Sequence, residues 1–213
     1  MRRCTQTALV LIVHLAMAAT AMAYEVVEDV VELVATDTQL IAVVDGRRYF
    51  RTDYLSGEVV RWQGAKGEIG AFLTNERLLA VTITSGQWNT EDLKIREKRT
   101  PPDVLIAAQI LIMLTDERIV AFGTHTDGFF QTRLPIGETV VARAANGRVA
   151  AAATPSQAFG YSTYRRGAAR IRFRLQERFV SLKAAYDSVT LQTSQRLITL
   201  EAGDGVWRYI ELQ

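Results

Sequence analysis

Cysteine and histidine are nearly missing from this chain. The one cysteine among its 213 residues, Cys4, precedes the first apolar run, whereas the lipid-bearing cysteine of a lipoprotein would follow it. Beyond residue 23 the chain has a single histidine, His125, so zinc clusters, Cys-His dyads and Ser-His-Asp triads lack their usual groups. His125 stands in a Thr-His-Thr-Asp-Gly turn, where a solvated loop residue is the plainer reading. No Gly-rich loop opens a helix to cradle phosphate, because no segment has a convincing helical period, and no EF-hand loop occurs. No catalytic residue, metal site or cofactor is expected.

A long hydrophobic run is also lacking. Arg2 and Arg3, the apolar residues 8–16 and the small-x-small sequence Ala21-Met22-Ala23 have the layout of a secretory leader. The apolar stretch is shorter than the roughly 20 residues of a bilayer span. Cleavage would start the mature protein at Tyr24, leaving residues 24–213 as one exported domain without a transmembrane segment, periplasmic or extracellular. Loss of the leader removes two arginines and leaves 23 basic and 23 acidic residues. Net charge of one sign is thus missing too, and nucleic acid or an anionic membrane finds no bulk attraction. Without cysteine, an oxidising compartment offers the domain no disulfide.

What is present is a repeat. Five times an apolar strand, a Thr-x-x-Arg/Gln turn and a second apolar strand follow one another. The turns are Thr36-Asp37-Thr38-Gln39, Thr74-Asn75-Glu76-Arg77, Thr115-Asp116-Glu117-Arg118, Thr154-Pro155-Ser156-Gln157 and Thr193-Ser194-Gln195-Arg196, with threonines 38, 41, 39 and 39 residues apart. Short polar stretches of this kind suit a tight hairpin. A third strand carries an aromatic residue (Phe50, Trp88, Phe129, Phe173, Trp207). A glutamate (Glu58, Glu97, Glu138, Glu177) then opens a fourth strand. Self-similarity at about 39 residues outranks local signals. Tyr24-Glu25-Val26-Val27 has the form of Glu58-Val59-Val60, which predicts that an N-terminal strand completes the last blade. A sandwich does not explain five equal spacings, and an outer-membrane barrel would alternate where Ile110–Leu114 and Val149–Ala153 are continuously apolar.

Across essentially all of residues 24–213 the repeat resembles the small-blade β-propellers in architecture. The Gly-His and Trp-Asp pairs of WD40 repeats and the ligand motifs of tachylectin-type lectins are absent, so no named family follows. The resemblance implies an all-β, five-bladed propeller of four-stranded blades, a rigid disc that presents loops for binding.

Some five-bladed propellers are glycoside hydrolases, with carboxylates converging from the inner strands. With residues 31–35, 69–73, 110–114, 149–153 and 189–192 as inner strands, only Glu32 is acidic there. A hydrolase therefore depends on Glu32 meeting a second carboxylate. The recurring glutamates, aromatics and threonines obey the symmetry and are assigned to packing. Candidate contacts are the irregular residues expected opposite the Thr-x-x-Arg turns: Trp62, Lys66, the segment 99–103, His125, Asp127, Arg165, Arg166, Tyr186 and Asp187. The expected role is a protein-interaction scaffold of the envelope or secreted medium. A lectin-like glycan binder with five near-equivalent sites is the alternative.

Overall fold

The computed structural model describes residues 28–100, 102–126 and 128–212, and apart from one short helix its regular structure is all β. The strands form five antiparallel sheets in chain order. The first holds β1 (Val31–Ala35), β2 (Gln39–Val44) and β3 (Arg48–Asp53). The second holds β4 (Val60–Lys66), β5 (Ile69–Thr74), β6 (Arg77–Thr82) and β7 (Asn89–Asp92). Helix α1 (Ile95–Arg99) leads to β8 (Asp103–Ile106), β9 (Ile110–Leu114), β10 (Arg118–Gly123) and β11 (Phe130–Arg133). The fourth sheet is β12 (Ala142–Asn146), β13 (Val149–Ala153), β14 (Gln157–Ser162) and β15 (Ala169–Arg172). The fifth is β16 (Phe179–Ala184), β17 (Ser188–Thr193), β18 (Arg196–Glu201) and β19 (Trp207–Glu211). This is the five-bladed propeller architecture that the repeat implies.

The core lies between successive sheets. Strands β5, β9 and β13 are apolar at nearly every position and buried throughout, which requires a sheet covered on both faces. Between the second and third sheets, Ile69, Ala71, Leu73, Leu78 and Ala80 face Leu111, Met113, Val120 and Phe122. The third-strand aromatics fill these interfaces as expected. Phe129 tilts against Phe122 with centroids 4.9 Å apart, and the Trp207 indole donates to the Ala169 carbonyl at 3.0 Å.

The repeating glutamates clamp the blades together. Glu177 accepts from Arg196 Nε at 2.9 Å and Nη2 at 2.7 Å, from Thr193 Oγ1 at 2.5 Å, and from the Arg174 backbone at 2.6 Å. Arg196 Nη2 also donates to the Arg172 carbonyl at 3.0 Å, tying the end of the fourth sheet to the fifth. Glu58 with Arg77 and Glu97 with Arg118 repeat this fork, while Glu138 meets Gln157 and Ser156 instead. Burial works to raise these carboxyls, but hydrogen bonds from the arginine, the backbone and the turn outweigh it; Glu58 and Glu97 lie below their ordinary value and Glu177 falls to about 2.

The blade boundary differs from the expected one by a strand. The strand after each glutamate opens the next sheet: β4 pairs with β5, and β12 with β13. The physical reason is the turn between them, too short at Gly67-Glu68 to reach another sheet, with Gly67 at φ +54°. The innermost strands are therefore β4, β8, β12 and β16, which neighbour one another around the axis, and the strands expected there come second. The fifth sheet draws its four strands from β16 to β19, and among the described residues no N-terminal strand joins it. Residues 24–27 lie outside the described residues, as does the leader. Among the described residues, no hydrogen bond, ion pair or core cluster joins the first sheet to the fifth, so the described strands form an open arc of five blades.

Candidate partner-binding face

Opposite the Thr-x-x-Arg turns, two circuits of contacts cross from blade to blade. The inner one runs through the turn between first and second strands, where Val30, Glu68, Gln109, Arg148 and Asp187 are repeat equivalents. The carbonyl of each accepts from its own sheet, as in Thr163 N to Arg148 O at 3.0 Å and Ala202 N to Asp187 O at 2.8 Å. The amide of the first four donates to the next sheet: Val30 to Gly67 at 2.9 Å, Glu68 to Ala108 at 2.8 Å, Gln109 to Gly147 at 2.9 Å and Arg148 to Tyr186 at 2.8 Å. Their side chains link the same positions, mostly in the reverse sense. Gln109 Nε2 donates to Glu68 at 2.8 Å, Arg148 Nε donates to Gln109 at 3.2 Å, and Arg148 Nη1 reaches Asp187 at 3.3 Å.

Tyr186 closes onto this circuit. Arg148 lies 5.2 Å from its ring centroid, and a Cβ placed on Gly147 would come within 2.6 Å of the ring. Gly147 also has φ +49°. Gly147→Ala is thus expected to lose about 3 kcal/mol by combining left-handed strain with overpacking. Gly46→Ala, at φ +61° with open space around it, should lose about 1 kcal/mol from strain alone. Urea unfolding of the two variants checks the difference, and equal losses would show that the Tyr186 packing yields.

The outer circuit joins the loops between third and fourth strands, with the corresponding β2–β3 turn of the first sheet. Arg48 Nη2 donates to Ile83 O at 2.7 Å, Thr84 Oγ1 to Thr124 O at 2.8 Å, and Arg165 Nη1 to Asp204 O at 2.8 Å. Between the third and fourth sheets, His125 and Tyr164 stack with centroids 5.0 Å apart and planes 12° from parallel. Both are exposed.

The face therefore gathers Lys66, His125, Arg165, Arg166, Tyr186 and Asp187 from the expected set. Asp127 lies outside the described residues. Trp62 is elsewhere: it sits in the body of β4, half-buried against the interface of the second and third sheets, opposite Leu73. Its place on a strand that forms a hairpin with β5 commits the indole to packing. Of the segment 99–103, residue 101 lies outside the described residues and Arg99, Thr100, Pro102 and Asp103 are on the other face, because α1 leads from β7 to β8 beside the Thr115 turn; together they border a cleft of about 410 Å³. Glu32 is exposed on the outer face of β1 beside Val43, with no hydrogen bond or ion pair among the described residues. Sequence reasoning missed Glu68, Gln109, Arg148 and Tyr164. The first three had a usable signal in their common place in the repeat.

A second cleft on the loop face, about 290 Å³, is lined by Thr84, Ser85, Gln87, Asn89 and Thr126 among others. Among the described residues, no three His, Cys, Asp or Glu side chains gather as a metal would require, and no helix is long and apolar enough to cross a membrane.

No protein-family model matches the chain, and no curated protein matches it. Solved structures similar to it include Hsv2p of Kluyveromyces lactis, 12% identical over 82% of this chain and 59% of that one, with a TM-score of 0.40. Human WBSCR16 is 12% identical over 85% and 64%, with a TM-score of 0.37. Prp20p of Saccharomyces cerevisiae, a protein described with its binding to Gsp1p and histones, is 11% identical over 86% and 64%, with a TM-score of 0.39. The chain spans less than two thirds of the length of each of these. Likeness of this degree carries no argument about activity or partner.

Proposed function

We propose that the protein is an exported, non-catalytic module of the cell envelope or secreted medium that binds another protein through the loop face. The observation that carries this reading is the exposed His125–Tyr164 stack, flanked by Arg165 and Arg166. Pre-ordered aromatic and arginine side chains on a rigid support are the usual anchors of a protein interface, since little entropy is lost when they are covered. The leader-like residues 1–23 support export, and the commitment of the buried carboxylates to interblade clasps supports a binding role. In capture from an envelope extract, Tyr164→Ala and Lys66→Ala are each expected to lower recovery of a specific partner at least tenfold while the unfolding midpoint stays put. Undiminished capture by both variants would remove this face from consideration.

A glycan-binding reading rests on the cleft lined by Thr84, Ser85, Gln87 and Asn89, whose hydroxyl and amide groups suit a saccharide. It calls for one site, not five equivalent ones. Capture that mixed saccharides abolish, together with loss of saccharide binding in Asn89→Ala, would favour it over a protein partner.

A further inference from the structure

The two ends of the arc differ in a way that the interior interfaces make readable. At each interior interface the later face of one sheet meets the earlier face of the next. On the later face, one β-strand position is always Ala or Gly: Ala42, Ala80, Ala121 and Gly160. The close approach explains this, since a Cβ on Gly160 would lie 2.8 Å from Leu200 of the following sheet. In the fifth sheet the equivalent residue is Thr199, and Val31, Ile69, Ile110 and Val149 give way to Ser188. This end carries Thr199 and Ser188 beside Leu197 and the exposed Ile210, and at Thr199 it is too bulky to receive another sheet in the same manner. It lacks the small-residue position that every interior interface uses to admit the next sheet.

The earlier face of the first sheet is the other end of the arc. Its middle strand presents Ile41 and Val43, flanked by Val34, 47% exposed, and Tyr49, 59% exposed. Positions equivalent to Ile41 and Val43 are apolar in every other sheet and buried wherever a preceding sheet covers them, as Leu79 and Val81 are. Two unpaired charges flank the patch on opposite strands, Glu32 on β1 and Arg51 on β3. Neither makes a hydrogen bond or ion pair among the described residues.

We infer that this face binds the same face of a second copy of the chain, forming a closed two-fold dimer. The fifth sheet, with Thr199 at the small-residue position, does not supply the complementary half, so among the described residues the face that fits is the first sheet's own. An apolar strip with an acid on one flank and a guanidinium on the other is self-complementary: a two-fold axis in the interface can set Glu32 of each copy against Arg51 of the other while Ile41 and Val43 pack between them. Such an interface is isologous and stops at two.

Sedimentation equilibrium of the purified protein between 1 and 100 µM, as about the range over which such contacts are usually resolved, tests this. The expected result is a dimer at the upper end and nothing larger. Ile41→Glu should weaken association at least a hundredfold with an unchanged circular dichroism spectrum, whereas Leu197→Glu on the face that carries Thr199 should leave it unchanged. Glu32→Arg and Arg51→Glu should each weaken it, and the double exchange should restore it. A monomer throughout, open-ended growth with concentration, a dimer indifferent to Ile41→Glu, or no rescue by the double exchange would each overturn the inference.

Discussion

Arg118→Ala is expected to remove about 3–5 kcal/mol of stability, because it strands the Glu97 carboxylate in a site built around a cation. Arg118 is 1% exposed and Glu97 5%, and the guanidinium holds Glu97 through two bonds of 2.7 Å while a third nitrogen reaches Glu91 and Nη2 also reaches the Asp92 carbonyl at 3.0 Å. One residue thus closes the turn of the third sheet, fastens the linker that carries α1 and binds the end of the second sheet. The neighbouring pair Arg96–Glu117 is the contrast: at 3.0 Å it has similar geometry, but Arg96 is 85% exposed and Arg96→Ala should change stability by less than about 0.5 kcal/mol. Urea unfolding of both variants decides the matter. Combining Arg118→Met with Glu97→Gln should recover much of the loss, since burying no charge is less costly than burying one unpaired. A small effect of Arg118→Ala would mean that water enters and solvates Glu97.

Acid should loosen the arc through the same clasps. Glu177 has its folded-state carboxyl lowered from 4.5 to about 2, and Glu58, Glu97 and Glu138 are lowered in the same direction. A carboxyl depressed on folding stabilises fully above its unfolded value and loses that contribution as the pH falls towards its folded value. For Glu177 the window is pH 4.5 down to about 2, with on the order of 3 kcal/mol at stake. Unfolding free energy measured from pH 6 to 2 should therefore hold steady at first and fall below about pH 4.5. Glu177→Gln should be less stable at neutral pH and flatter across the acid limb. A wild-type curve flat from pH 6 to 2 would show that these pairs contribute nothing net.

The acid limb depends on residues that the repeat already displayed, and this indicates what could be read without coordinates. Thr-x-x-Arg turns, glutamates at a constant phase and continuously apolar strands were enough for five blades and for assigning the glutamates to structure. Blade membership was not readable in the same way. The strand after Glu58 has the same local composition whether it ends one sheet or begins the next, and only the brevity of the turn at Gly67-Glu68 decides. That choice moved Trp62 from the end of a strand at the loop face into the body of one, and carried Arg99, Thr100, Pro102 and Asp103 to the opposite face. Of the inner circuit only Asp187 was picked out; Glu68, Gln109 and Arg148 share its place in the repeat, but four different side chains occupy that position. Their likeness lies in the backbone carbonyl, with which each accepts from its own sheet, and composition does not report it. Tyr164 was overlooked beside Arg165 and Arg166 because its partner, His125, comes from another blade.

The open arc also changes how the chain reaches its native state. In a closed ring the last blade must find the first, so loop-closure entropy over the whole chain is lost before the fold is complete. Among the described residues every interface joins sheets that are consecutive in sequence, and none of these steps waits for distant segments to meet. Folding of this kind is one-dimensional: it can start at any sheet and spread to its neighbours, with speed set by local contacts. It can also reverse by stages. The first and fifth sheets each rest on a single neighbour, so the ends can fray while the third sheet, held on both sides, stays formed.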